Sequence, residues 1–317
     1  NIISLINKMI RKIVVFLRPI RYLIKLFFYS PKYLYERISS DFKKDLNSKK
    51  LKKKFHIVWC AGLAKSGTTL IEDILKELPL VQANNSFFRI YDDSNIDYFH
   101  GISEQMFSKL PKNKLTFLKT HSHFTERYVN IANKYNSKII ISLRDIRDAT
   151  LSRYYHIMND KNDFQHNVIK NLKFKEGFLK TAKEHGRSTK KFSGPAKLPP
   201  AVYHYKWVQD WQSYAKNNSN CLVLWYEEFT NNPKTYIKKI IEYLEFDHID
   251  VDKLYLKLNF DKQLLKKRGL TANLNLFEPK TFNKGTSGEW KKILDKETLE
   301  NFYSILPDDI SKIEYKN

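Results

Sequence analysis

One short segment, Cys60–Thr69, constrains the fold of this chain more than any other. It reads Cys-Ala-Gly-Leu-Ala-Lys-Ser-Gly-Thr-Thr and joins an apolar run, Phe55–Cys60, to an amphipathic run, Leu70–Leu78. We expect a buried strand, a tight loop and the first turn of a helix, whose unpaired N–H groups and dipole favour an anion. The glycine spacing is that of a phosphate-binding loop, but Thr68 stands where nucleoside triphosphatases carry lysine. Lys65 lies inside the loop instead, which argues against an ordinary ATPase and favours another phosphate-bearing ligand.

This loop resembles the 5′-phosphosulfate loop of the sulfotransferases that use 3′-phosphoadenosine-5′-phosphosulfate (PAPS). The resemblance implies PAPS as co-substrate, adenosine 3′,5′-bisphosphate (PAP) as product, and no metal ion. It also implies that Lys65 stabilises the departing phosphate oxygen and that loop amides bind the 5′-phosphate. The residues assigned to this part of the nucleotide site are Lys65, Ser66, Gly67, Thr68 and Thr69.

A second segment, Thr116–His121, ends an apolar run in Lys119, Thr120 and His121. The resemblance implies that His121 is the catalytic base and Lys119 the neighbouring cation. A neutral imidazole titrates near neutral pH and accepts a hydroxyl proton, and an ammonium group stabilises charge on moving sulfuryl oxygens. The alternatives are that His121 only ends a strand, or that His123 is the base.

The third segment begins with Ile139–Leu143, a continuous apolar run typical of a strand buried on both faces. Arg144 follows at the carboxyl end of this predicted strand, where open α/β sheets bind ligands. Asp145 or Asp148 is expected to stabilise the start of the next helix. The resemblance implies that Arg144 and Ser152 bind the 3′-phosphate of PAPS. A solvent-facing Arg144 paired with Asp148 is the alternative.

The fourth segment, Phe282–Lys291, is similar to the late glycine-containing loop of the same family. The resemblance implies that Lys284 and Gly285 close over the 3′-phosphate. Asn283 replaces the arginine of the family pattern, which removes a planar bidentate phosphate ligand. Two nearby cations are candidates to replace it, Arg268 and Lys280.

Two aromatic residues complete the predicted nucleotide site. Tyr226 follows the apolar run Leu222–Trp225, and Phe260 follows Leu258 and Asn259. The resemblance places both side chains at the adenine ring. Ordinary core packing is the alternative for each of them.

Apolar runs of strand length alternate with helical patterns along most of the chain. The predicted strands are Phe55–Cys60, Thr116–Lys119, Lys138–Leu143 and Cys221–Trp225, and the predicted helices are Thr69–Leu78, Glu126–Tyr135, Asp145–Met158, Ala201–Lys216, Pro233–Leu244 and Lys296–Leu306. This alternation predicts an α/β fold with a mostly parallel central sheet flanked by helices. With the phosphate-binding loop, it predicts a P-loop three-layer fold.

We expect one catalytic domain over residues 55–317, with an inserted loop region at residues 159–200. Lys183–Pro200 is rich in Lys, Gly, Ser and Pro, and Asn84–Gly101 is rich in aromatic residues and Asp. Long ordered loops in compact domains are often lids or binding loops. These two segments are therefore expected to form the acceptor pocket.

The amino-terminal region is strongly basic. Of the net charge of +22, residues 1–54 contribute +12, from 15 Lys/Arg and 3 Asp/Glu. Residues 1–37 have apolar positions at helical spacing and basic residues between them, which predicts an amphipathic leader lying on an anionic membrane surface. Residues 38–54 are predicted to be a polybasic linker that adds attraction to anionic lipid. A leader helix that packs on the domain or on another subunit is the alternative.

The sequence thus predicts transfer of a sulfuryl group from PAPS to a hydroxyl or amine of a small-molecule or glycan acceptor. Cys60 and Cys221 lie in predicted buried strands, which indicates a reducing, cytoplasmic location, peripheral on the membrane. A P-loop kinase or NTPase is one rival, and a basic membrane- or nucleic-acid-binding module without turnover is another. The charge excess lies mostly in the leader and no RNA-binding signature is evident, so no nucleic-acid partner is expected. The acceptor and the oligomeric state stay open.

Overall fold

The structure, a computed structural model, describes residues 54–78, 81–83, 102–110, 112, 115–185, 197–258, 286–313 and 315. The predicted leader lies outside these ranges, as does the predicted linker apart from Lys54. Of the two predicted acceptor segments, Asn84–Gly101 lies wholly outside them and Lys183–Pro200 lies mostly outside them. Phe260, Lys284 and Gly285 also lie outside these ranges.

A five-stranded sheet forms the centre of the described fold, in the order β2-β3-β1-β4-β5. Its strands are β1 Ile57–Gly62, β2 Val81–Ala83, β3 Leu115–Thr120, β4 Lys138–Leu143 and β5 Cys221–Trp225. All four neighbouring pairs are parallel. The chain runs from β1 to one side of the sheet and then returns to the other, so the order reverses beside β1. Ligands of open α/β sheets bind outside the carboxyl ends of the strands at such a point.

Helices connect and cover the strands. They are α1 Thr68–Glu77, α2 Glu104–Ser108, α3 Glu126–Lys134, α4 Ile146–Asn159, α5 His166–Ile169, α6 Phe174–Lys183, α7 Pro200–Lys216, α8 Tyr226–Asn231, α9 Pro233–Tyr243, α10 Trp290–Ile293 and α11 Lys296–Tyr303. The predicted α/β class and parallel sheet are confirmed. Within the described ranges, no helix is both long and apolar enough to cross a bilayer.

The core contains large aromatic side chains between the sheet and α7. Every residue of β1 is buried, as expected of a central parallel strand. Trp59 of β1 and Trp211 of α7 meet edge to face, with ring centroids 5.6 Å apart. The indole N–H of Trp59 donates to Thr120 Oγ1 at 2.8 Å. This contact joins β1 to the end of β3, where the predicted base follows.

The prediction of a loop region at residues 159–200 is wrong for its first half, which contains α5 and α6. Phe174 and Phe178 anchor α6, because Phe174 contacts Tyr154 of α4 and Phe178 contacts Phe302 of α11, at 5.2 and 5.7 Å between ring centroids. These partners lie outside the segment, so its own polar composition did not reveal them.

The two cysteines differ in burial. Cys60 is fully buried, whereas Cys221 is only partly buried, contrary to the prediction that both are in buried strands. Burial raises the pKa of each thiol to about 12. Both thiols are therefore protonated and unreactive near neutral pH.

Candidate active site

The turn from β1 into α1 requires glycine at two positions. Gly67 has φ of 85°, a left-handed conformation that favours glycine. At Gly62, an added Cβ would lie 1.8 Å from Cγ2 of Thr68. The first glycine is therefore required by close packing and the second by backbone conformation.

Hydrogen bonds from β4 fix the shape of this loop. The amide of Leu63 donates to the carbonyl of Ser142 at 3.0 Å, and the hydroxyl of Ser142 donates to the carbonyl of Ser66 at 2.9 Å. The Ser66 side chain is fully buried, and its hydroxyl and amide both donate to the Leu63 carbonyl, at 2.6 and 3.1 Å. Ser66 thus shapes the loop, and its amide is directed inward rather than toward a ligand.

The amino terminus of α1 presents backbone N–H groups at the end of the loop. Gly67 is the N-cap residue, and no side chain caps this helix. The amides of Thr68 and Thr69 belong to the first turn, whose N–H groups have no partner within a helix. This end of α1 is therefore a binding position for an anion.

Positive charges surround the same loop. The pKa of Lys65 is lowered to about 8, mainly by burial and then by the guanidinium groups of Arg153 and Arg144. Repulsion among buried cations costs free energy that a bound anion would relieve. Together with the uncapped helix, this cluster favours a polyanionic ligand.

Arg144 lies at the carboxyl end of β4 and is 8% exposed. Its guanidinium donates to the carbonyls of Lys65 at 3.0 Å and Thr286 at 3.1 Å. The alternative of a solvent-facing Arg144 paired with Asp148 is therefore wrong. Nε of Arg144 is buried and has no hydrogen-bond partner among the described residues. This unused donor is suited to an oxygen of a bound anion.

Tyr226, the first residue of α8, packs against both of these groups. The guanidinium carbon of Arg144 lies 4.5 Å from the centre of its ring. A Cβ added at Gly67 would lie 2.6 Å from Cδ2 of Tyr226, so the ring also rests on the loop. The tyrosine that the sequence placed at the nucleotide is thus in contact with the phosphate-binding loop.

Asp148 of α4 anchors the late segment of the chain to this site. Asp148 is 1% exposed, and its carboxylate accepts from the amides of Gly288 at 2.6 Å and Trp290 at 3.0 Å. Asp145, rather than Asp148, caps α4 by accepting from the amide of Arg147 at 2.9 Å. The described part of the fourth sequence segment therefore reaches the same end of the sheet as the loop.

Glu227 of α8 contacts Asp145, the residue that follows Arg144. One of its carboxylate oxygens accepts from the Asp145 amide at 3.1 Å, and the other is buried without a partner among the described residues. Burial raises the pKa of Glu227 to about 7.

His121 follows β3 and is partly buried. Its Nδ1 lies 2.7 Å from the carbonyl oxygen of Gly62. Because a carbonyl only accepts, Nδ1 carries the proton, and in the neutral ring Nε2 is the nitrogen with a lone pair. His123, the alternative base, is 5% exposed, and its ring meets those of Tyr128 and Tyr203 edge to face. The geometry therefore favours His121 over His123.

Lys119 takes part in an ion-pair network that the sequence did not predict. Its ammonium donates to Glu72 of α1, and Lys76 contacts the other carboxylate oxygen at 2.6 Å. Burial alone would raise the pKa of Glu72, but the two ammonium groups lower it below its usual value. The predicted catalytic cation, Lys119, is thus paired with a carboxylate of α1, the helix that follows the loop.

Ser152 lies on α4, next to Arg153, and is partly buried. Arg153 donates to both carboxylate oxygens of Asp163, at 2.6 and 3.1 Å. His156 lies one turn further along α4. Its pKa is lowered to about 4, mainly by burial and then by the charges of Lys65 and Arg153. The α4 face beside the loop is therefore cationic at Arg153 and neutral at His156 near pH 7.

Within the part of the chain that the structure describes, no group of three or more His, Cys, Asp or Glu could hold a metal ion.

Residues 56–313 match the model of the sulfotransferase domain. The chain belongs to the sulfotransferase domain family. Mouse sulfotransferase 2A6 is 27% identical over 183 residues, which are 54% of this chain and 56% of that relative. The chain thus matches little more than half the length of this curated relative.

Two solved structures share the fold of this chain. One is mouse sulfotransferase SULT7A1 complexed with PAP, at a TM-score of 0.54 and 17% identity, covering 84% of this chain and 88% of that one. The other is retinol dehydratase in a complex with retinol and PAP, at a TM-score of 0.50 and 16% identity, covering 82% of each chain.

The structure thus brings several of the predicted site residues together. Contacts join the loop to Arg144 and Tyr226 and, at Gly62, to His121. The sequence did not reveal Glu72 as part of this site, nor the role of Asp148 as an anchor. Glu72 lies four residues after Thr68, so the two residues share one face of α1. This spacing is the one sequence feature that indicated its place near the loop.

Proposed function

We propose that this protein transfers the sulfuryl group of PAPS to a hydroxyl or amine of an acceptor and releases PAP. The observation that carries the proposal is the cationic, uncapped start of α1, with Arg144 bridging Lys65 to the late segment. Membership of the family supports it, as do the two relatives that were solved with PAP.

The nucleotide would bind across the carboxyl ends of β1 and β4. Lys65 and the amides of Gly67, Thr68 and Thr69 would hold the 5′-phosphosulfate. Ser66 would contribute by fixing the loop. Arg144 and Ser152 would hold the 3′-phosphate, and Nε of Arg144 is an available donor for it.

Tyr226 would contact the adenosine from α8, where its ring packs against the loop. Phe260 would lie against the adenine, and Lys284 and Gly285 would close over the 3′-phosphate. These three residues are proposed from the family resemblance, and they lie outside the described ranges. The docking of Thr286 and Gly288 beside Arg144 and Asp148 supports a position for Lys284 and Gly285 near the phosphate.

The reaction requires one bond to form at sulfur while another breaks. The acceptor oxygen or nitrogen attacks sulfur in line, and its proton passes to Nε2 of His121. The bond between sulfur and the phosphate oxygen breaks, and Lys65 stabilises the negative charge on that oxygen. Lys119 would offset charge on the sulfuryl oxygens. Positioning and electrostatic stabilisation supply most of the rate enhancement in such a transfer.

The acceptor is proposed to be a small molecule or a glycan, including a glycolipid. The basic leader and linker, residues 1–54, are proposed to hold a cytoplasmic enzyme on an anionic membrane surface. Their local charge of +12 supports this part of the proposal. Flotation of the full chain with phosphatidylserine vesicles, but not with phosphatidylcholine vesicles, is the expected result. Equal flotation with both would contradict an electrostatic attachment.

Calorimetry with PAP and transfer of labelled sulfate from PAPS test the proposed function. The acceptor panel contains a nitrophenol, a sterol, a glycosylceramide and an aryl amine. We expect PAP binding without added metal and a labelled product with at least one acceptor. His121→Asn is expected to lower kcat on the order of 10²–10⁴-fold, as loss of a general base typically does.

His248→Asn is the matched control, because His248 has φ of 62° and asparagine tolerates this conformation well. It is expected to leave kcat unchanged. Absence of PAP binding by the folded chain, or magnesium-dependent ATP hydrolysis in place of sulfate transfer, would refute the proposal.

A further inference from the structure

Glu72 is a buried carboxylate one helical turn from the phosphate-binding loop. It lies four residues after Thr68 on α1 and is 7% exposed. A helix rises about 6 Å over four residues, so the carboxylate and the first-turn amides are close along the axis. A buried negative charge beside an anion site opposes anion binding unless cations compensate for it.

Two ammonium groups provide this compensation. Lys119 reaches Glu72 from the end of β3, and Lys76 reaches it from the next turn of α1, at 2.6 Å. The side chain of Lys119 is 20% exposed and that of Lys76 is 29% exposed. Because Lys76 contacts the other oxygen, Glu72 keeps one partner when the Lys119 ammonium turns toward another anion.

Lys119 is also close in sequence to the proposed base. It lies opposite Cys60 in the pairing of β1 with β3, and two residues later His121 contacts the Gly62 carbonyl. A flexible lysine side chain at this strand end has many rotamers, and fixing one of them has an entropic cost. Glu72 reduces this cost by holding the ammonium before the donor binds.

We propose that Glu72 is a positioning residue that holds the Lys119 ammonium ready for the sulfuryl group, with Lys76 keeping Glu72 neutralised during transfer. This inference rests on the proposed sulfuryl transfer. It adds a residue of α1 that acts on the reaction through Lys119 and does not itself contact the nucleotide.

Glu72→Gln removes the charge and keeps the shape of the side chain. We expect kcat with the best acceptor of the panel to fall about tenfold, because misplacing a group slightly has effects of this size or larger. The Kd of PAP, which lacks the sulfuryl group, is expected to change by less than about threefold, since the interaction that is lost is one made in the transition state.

Glu77→Gln is the matched control. Glu77 is on the same helix and pairs with Lys257 instead, so this variant removes an ion pair of α1 away from Lys119. Its kcat is expected to stay within about twofold of wild type, as exposed pairs contribute little. Glu72→Asp, which keeps the charge, is expected to have a kcat between those of Glu72→Gln and wild type.

A double-mutant cycle identifies the route of the effect. In a Lys119→Met background, Glu72→Gln is expected to cause no further loss of kcat. An equal loss in both backgrounds, or a kcat for Glu72→Gln that equals that of Glu77→Gln, would overturn the inference while leaving the proposed function intact. A wild-type chain that binds no PAP and transfers no sulfate would overturn the proposed function itself.

Discussion

We expect the proposed PAP binding to depend on pH through Lys65, in a range where phosphate charge is constant. Its pKa is lowered to about 8, mainly by burial and then by Arg153 and Arg144, from a usual value of 10.5. Only the charged ammonium attracts the phosphates of PAP. Because the folded, unliganded protein loses this proton above pH 8, affinity for PAP should fall as the pH rises through that value.

The size of the effect follows from the charged fraction. With a pKa of about 8, about nine-tenths of Lys65 is charged at pH 7 and about one-tenth at pH 9. The Kd of PAP is therefore expected to rise about tenfold between these pH values. Second ionisations of phosphate groups lie near pH 6, so PAP itself changes little. Glu227, with its pKa raised by burial to about 7, becomes negatively charged over the lower part of this range and weakens binding in the same direction.

Isothermal titration of PAP into the protein at half-unit steps from pH 7 to pH 9 measures the slope. Lys65→Arg keeps a charge that does not titrate in this range. In this variant only the smaller contribution of Glu227 is expected to remain, whatever the absolute affinity. A Kd for the wild-type protein that is flat from pH 7 to pH 9 would refute the reasoning, as would an equal slope in Lys65→Arg.

Three further changes test other parts of the site. Lys65→Met should stabilise the unliganded fold at pH 7 by up to about 3 kcal/mol, because a pKa lowered from 10.5 to about 8 reflects a destabilised ammonium. The same variant should abolish PAP binding. A midpoint of urea unfolding below that of the wild-type protein would contradict the expected stabilisation. Gly62→Ala should lose PAP binding or fail to fold, since its Cβ would lie 1.8 Å from Thr68 Cγ2; wild-type affinity for PAP would show that the loop can shift. Asp148→Ala should weaken PAP binding about tenfold or more, because it removes the carboxylate that accepts from the amides of Gly288 and Trp290. The same titration measures this effect, and unchanged affinity would mean that this anchor is dispensable.

The strands were predicted best where apolar residues are continuous and polar residues bound them. Lys138–Leu143 and Cys221–Trp225 have the predicted bounds. The first strand extends two residues further than predicted, to Gly62, because Ala61 pairs with both neighbouring strands and Gly62 pairs with β4, although such small residues give no strand signal. The short β2, Val81–Ala83, depends on pairing with β3 and was not predictable from three residues.

Site residues were predictable where a residue type has a specific chemical or conformational role at its position in a motif. The loop glycines, Arg144 and Tyr226 are of this kind, and contacts between them confirm that they lie together. Glu72 was not predictable in its role, because a glutamate in an amphipathic helix usually faces solvent. Its burial depends on Lys119, which lies 47 residues away in sequence.

The guanidinium of Arg144 joins carbonyls that lie 79 and 142 residues away from it along the chain. During synthesis, the sheet positions are all available once β5 has left the ribosome, but Thr286 is added some sixty residues later. The proposed nucleotide site therefore stays incomplete in a nascent chain until Thr286 has been translated. A truncation between Trp225 and Thr286 would keep all five strands, and we expect it to bind nucleotide more weakly.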